Sequence, residues 1–157
     1  MPSPVISIYD DLQTNLVSTW AVGTVKAQIP SAALEVNIWN NRAGTTAVSD
    51  LKDCSIAVFD SNGTTYVDDV ARDQWVEINV PSVDGNTTTW TAIGGTNTKD
   101  IRAMSGVTDF SIKGTTNDGT PTNSQENFCT CSFRINAPIN SIPGAKPFKI
   151  RLTGYYT

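Results

Sequence analysis

The chain has 157 residues, 39% of them apolar and 17% charged, with a formal net charge of −4. That length fits one domain, residues 1–157, able to bury a core without metal or disulfide staples. The low charge excludes a chain held open by self-repulsion, and the acidic balance argues against a nucleic-acid binder, which needs a basic face for phosphates. No apolar run approaches the ~18 residues of a membrane span, and Met1-Pro2-Ser3-Pro4-Val5 lacks the basic and apolar regions of a secretory signal. Histidine is absent, which removes the commonest acid–base group and metal ligand.

Taken in order, short β-type runs alternate with turn signals, and no 3.6-residue apolar period is sustained. The first run spans 5–9 and stops at Asp10-Asp11. A weak candidate follows at 22–25. In the run 34–39, Leu34, Val36 and Ile38 alternate with Glu35, Asn37 and Trp39. A short helical turn fits near 45–52, where a Ser/Thr–Asp pattern could cap it. Cys54, Ile56 and Val58 share one face of the next run, which ends at Asn62-Gly63, a hairpin signal that predicts a return strand over 64–67. Alternation continues through 74–80 and is stopped by Pro81. A Thr-rich strand is expected after Asp84-Gly85, running through Trp90 to Ile93. Residues 110–112, 128–135 and 148–152 complete the series. The stretch 115–124 has no large apolar residue and is expected as a mobile loop. The Pro-rich stretch 137–147 is expected to cross between sheets.

Eight to ten such strands predict an all-β fold, a single antiparallel β-sandwich of Ig-like or jelly-roll-like type, with a closed barrel as the alternative. Period two assigns Ile6, Ile8, Leu34, Val36, Ile38, Ile56, Val58, Val76, Ile78, Val80, Ile112, Phe133, Ile135, Ile150 and Leu152 to the interior. Cys129 and Cys131, two apart on one strand, point to the same face as parallel side chains unsuited to a bridge. With Cys54 they read as reduced, buried hydrophobes.

No constellation of catalytic type emerges. Without histidine the usual Ser–His pairing cannot be built. The adjacent pairs Asp10-Asp11 and Asp68-Asp69 face opposite sides of an extended backbone, so neither forms an acid–base couple. Asp60-Ser61-Asn62-Gly63 resembles the start of a calcium loop, but the twelfth position is Ala71 instead of a bidentate Glu. Gly94 to Lys99 lacks phosphate-loop spacing. Asn62-Gly63-Thr64 and Asn86-Thr87-Thr88 match the glycosylation sequon but read as turns. No catalytic residue, cofactor or metal is expected. The aromatics remain: by alternation Trp39 and Trp75 lie opposite Ile38 and Val76, which leaves them available to a partner. At the ends, Pro2 and Pro4 favour extended backbone without ladder donors, and Tyr155 and Tyr156 either lie just beyond the last strand or finish it with one ring facing inward. These six are the candidate partner-contact residues.

The stretch Val36-Asn37-Ile38-Trp39-Asn40-Asn41-Arg42-Ala43-Gly44-Thr45-Thr46-Ala47-Val48-Ser49-Asp50 resembles small β-sandwich virion proteins of tailed bacteriophages and prophages of Gram-positive hosts. Asp60 to Gly63, Gln74 to Ile78 and Trp90 to Gly95 add to the likeness, which covers residues 5–100 and carries no catalytic signature. It implies a non-enzymatic structural protein of the virion, assembled in the host cytoplasm. Most directly this is a capsid decoration protein that binds the major capsid protein or another virion protein as a symmetric homo-oligomer, with no nucleic acid or membrane partner. Neck, tail or baseplate placement is the alternative, as is a carbohydrate-binding module touching the host surface.

Overall fold

A computed structural model describes residues 1–157. Its strands are β1 (Ile6–Asp10), β2 (Leu34–Asn40), β3 (Lys52–Asp60), β4 (Val76–Asn79), β5 (Thr91–Ile93), β6 (Lys99–Asp100), β7 (Phe128–Ile135) and β8 (Phe148–Tyr155). Two one-turn helices, α1 (Asp69–Arg72) and α2 (Pro81–Asp84), interrupt them. A five-stranded sheet, ordered β1-β2-β7-β4-β5, faces a three-stranded sheet, ordered β6-β3-β8. Every pairing is antiparallel, and neither sheet closes on itself, so the fold is an all-β sandwich and not a barrel.

Alternation builds the core. Val36 pairs with Cys131 and Ile38 with Cys129, Val76 pairs with Ile135 and Ile78 with Phe133, and all eight side chains are buried. Ile56 and Val58 meet them from the smaller sheet, paired there with Leu152 and Ile150. Cys129 and Cys131 share this inward face, with their sulfurs 3.8 Å apart. Ile6 departs from expectation. It lies at the outer end of the edge strand β1, opposite Asn40, and is exposed.

Several local expectations give way to side-chain chemistry. No strand returns over 64–67. The Asp60 carboxylate accepts bonds from Thr65 Oγ1 (2.6 Å), Val67 N–H (2.8 Å) and Asp68 N–H (3.1 Å). These fold the segment over the end of β3, whose two flanks are already taken by β6 and β8. Residues 22–25 form no strand and 45–52 no helix; the helical turns fall instead at α1 and α2. Pro81 opens α2, where a missing N–H costs nothing, and Gly85 closes it in the left-handed region, with φ 75°. Residues 110–112 contribute only the bridge Leu51–Ile112. The Thr-rich stretch pairs only over Thr91–Ile93, because Asn86 Oδ1 takes the N–H groups of Thr88 (2.9 Å) and Thr89 (2.8 Å) into a turn. Asn62 does the same for Thr64 and Thr65, so both sequon asparagines are turn formers. The loop 115–124 is tied down: Asp118 accepts from Thr120, Asn123 and Ser124, and Asn117 is bonded to Ala43 and Asn41. Residues 137–147 do cross between the sheets, joining β7 to β8.

Candidate functional site

The six candidate contact residues divide into two groups. Trp39 and Trp75 do not reach the surface, with exposures of 0% and 6%. Trp39 does project from β2 opposite Ile38, but the outer face of the large sheet is covered there. Its ring stacks on Phe128 at 4.5 Å, and its Nε1 donates to Gln13 Oε1 at 2.8 Å. The Arg42 guanidinium lies 3.8 Å from the Tyr9 ring centroid and 5.3 Å from that of Trp39. Trp75 precedes β4 and joins the inner core. A partner cannot use either ring while the fold is intact.

Pro2, Pro4, Tyr155 and Tyr156, by contrast, come together. Ser49 N–H donates to the Pro2 carbonyl at 2.8 Å, and Ser49 Oγ donates to the Thr157 carbonyl at 3.3 Å. Ser3 Oγ bonds the Tyr156 hydroxyl at 3.2 Å. The backbone of Val5 is held on both sides, its N–H by Asn40 Oδ1 at 3.1 Å and its carbonyl by Asn41 N–H at 2.8 Å. The first five residues and the last three therefore share one surface around Ser49. Four apolar or aromatic side chains stand exposed on it: Met1 (85%), Val5 (55%), Tyr155 (49%) and Tyr156 (52%). Sequence reasoning singled out both ends but had no signal for their meeting, because Ser49 and Asn40 look like ordinary polar residues.

Beside this surface, β8 is an edge strand. Phe148–Tyr155 pairs with β3 on one side, and no other backbone hydrogen bond reaches it. Its outward positions include Lys149 and Arg151, charges of the kind that discourage uncontrolled pairing of an edge.

Several charged groups elsewhere are engaged in structure. Asp84 accepts from Lys99 Nζ (2.5 Å) and Val80 N–H (2.8 Å). Asp50 accepts from Lys113 Nζ and Gly114 N–H, both at 2.9 Å. Arg134 pairs with Glu77 and lies 4.3 Å from the Trp90 ring centroid. Burial pushes the Cys54 thiol up to about 12. The Cys131 thiol is raised as well, first by its contact with Cys129 and then by burial. No group of three or more His, Cys, Asp or Glu side chains is placed to hold a metal, and no helix is long and apolar enough to cross a membrane. What the arrangement offers is adhesion: an apolar, aromatic surface at the joined ends beside an unpaired strand edge. Comparison of the chain with protein-family models, curated proteins and solved structures finds no match.

Proposed function

We propose that the protein is a non-enzymatic structural component of a tailed-phage virion, a decoration protein that binds the outside of the assembled capsid through its joined ends. The observation that carries this reading is the meeting of Pro2 and Ser3 with Tyr156 and Thr157 around Ser49, with exposed apolar and aromatic side chains at the same place. A patch of that kind can supply the buried aromatic anchors of a contact that is otherwise polar. The resemblance of the 36–50 stretch to virion proteins supplies the setting. Binding the assembled lattice and not the free subunits would stabilise the shell by mass action, and repeated copies on such a lattice fall into symmetric sets.

The glycan-binding alternative finds less support, because Trp39 and Trp75 are buried and Trp20 and Trp90 are half-buried, so none presents an open flat platform. The test is to purify particles from cells expressing the chain. The chain should co-purify with the shell, and deleting residues 1–4 or 154–157 should lower its occupancy while far-ultraviolet circular dichroism stays β-type. Absence from purified particles would overturn the virion reading. Unchanged occupancy in both deletions would overturn the attachment site.

A further inference from the structure

We propose that the open flank of the sandwich is a binding site for a single-chain amphiphile, its apolar tail between the two sheets and an anionic head at Lys149 and Lys146. The inference does not depend on a virion role. The five-stranded sheet is wider than the three-stranded sheet that faces it. Beside β8, where the smaller sheet stops, lies a cavity of about 1100 Å³. Ile38 and Phe133 line it from the large sheet and Phe148 and Ile150 from the small one. Its volume matches the upper end of the ~300–1000 Å³ common for small-molecule sites. Protein interiors are otherwise close-packed, and an apolar void of adequate size takes up apolar molecules in preference to water. Facing sheets pack about 10 Å apart, a slot suited to a slender, flexible chain.

Two further observations narrow the ligand. The only charged residues lining the cavity are Lys146 and Lys149, both cationic, in a chain whose net charge is −4. Lys146 pairs with Asp69 at 2.6 Å, whereas Lys149 is in no ion pair and lies on the exposed side of β8. A hydrocarbon alone would leave that cation to water; a carboxylate would pair with it. Lys146 Nζ also lies 5.6 Å from the ring centroid of Trp75, another residue lining the cavity.

The cover of the cavity is also built to move. Residues 18–25 carry Trp20, whose ring is 6.0 Å from Phe148 and 6.4 Å from Phe133. Yet no backbone hydrogen bond within the chain involves residues 18–25 or 142–147. Both segments are held by side-chain contacts, among them the Lys146–Asp69 pair, so admitting a ligand breaks no ladder.

The test is a titration of the full chain with sodium laurate below its micellar concentration and, separately, with dodecanol below its solubility limit. Intrinsic tryptophan emission gives the readout, because Trp20 and Trp75 both line the site. Laurate should produce a saturable change at roughly one equivalent and bind about tenfold more tightly than dodecanol. Lys149→Glu should remove that preference while leaving dodecanol binding unchanged. Val22→Trp, on the unbonded cover, should abolish binding of both, with circular dichroism confirming the fold; if this variant does not fold, Lys149→Glu alone decides. No saturable change, or equal affinities unaltered by Lys149→Glu, would overturn the proposal. So would a doubled mass in native mass spectrometry with no bound laurate, which would assign the flank to a second copy.

Discussion

At the scale of single residues, the outer face of the large sheet behaves as a second, smaller core. Trp39 is fully buried there between Phe128 and Arg42. Trp39→Ala removes a large packed ring and should destabilise the protein by about 3–5 kcal/mol, read from the shift of the urea midpoint. Several carboxylates on this chain are acceptors for local N–H and hydroxyl groups. Asp118 is held well below the usual carboxylate range by hydrogen bonds from Asn123 and Thr120, and Asp10 is lowered by the Thr14 N–H and the Asn15 side chain. At Asp60 burial pushes upward, but bonds from Thr65, Val67 and Asp68 outweigh it and the net shift is downward. A depressed carboxylate contributes stability that is fully present above its ordinary value of 3.8 and is lost as the pH falls through the folded value. The thermal midpoint should therefore hold for these groups until the pH nears 3.8, and should drop as the pH falls from there toward the folded values. In Asp118→Ala the acid-side drop should be shallower, as followed by circular dichroism melts.

At the scale of elements, the stretch 36–50 proves to be a structural junction. Ile38 enters the inner core and Trp39 the outer one. The buried Asn40 side chain donates to the Ser49 and Ile112 carbonyls (3.0 and 3.2 Å) and accepts from Val5 N–H. Asn41 donates to the carbonyls of Thr46, Gly114 and Thr115. At Gly44 a Cβ would fall 2.1 Å from Asn41 Oδ1, which is why no side chain fits there. Asn40→Ala leaves the Ser49 carbonyl and the Val5 N–H without their partner, while the Ile112 carbonyl keeps its bond from Leu51 N–H; the change should cost about 1–3 kcal/mol, with faster hydrogen exchange at the Val5 amide. Period-two alternation made β2, β3, β4 and β7 legible, because each strand reports on its own faces. It is silent on what covers the outer face, and so Trp39 read as available. The helices α1 and α2 span four residues each, too short for a 3.6-residue period to register. The failed return strand after Asn62-Gly63 is a third kind of miss, where one carboxylate, Asp60, outcompetes a ladder. The joined ends were illegible for a related reason: the bonds that join them run between residues far apart in the chain.

At the scale of the whole molecule, the core holds all three cysteines, Cys54, Cys129 and Cys131, as free and buried thiols. A raised thiol shielded from solvent is a poor nucleophile, so labelling requires the sandwich to open. Iodoacetamide at neutral pH should leave the native mass unchanged, whereas in guanidinium all three cysteines should be alkylated. Partial native labelling would mean that the sheets separate without global unfolding.

The pairing of β3 with β8 also sets an order of events. Every strand of the five-stranded sheet is complete before Phe148–Tyr155 begins, yet β3 must wait for that last strand to gain its main neighbour; the two-residue β6 is its only other one. Closing so long a loop is slow relative to forming hairpins. As the chain leaves the ribosome, the inner face of the large sheet therefore stays wet until β8 emerges, and only then can the sandwich shut. Chains truncated before β8 should accordingly aggregate during synthesis instead of accumulating as a smaller folded protein, which fractionation of soluble and pelleted product would show.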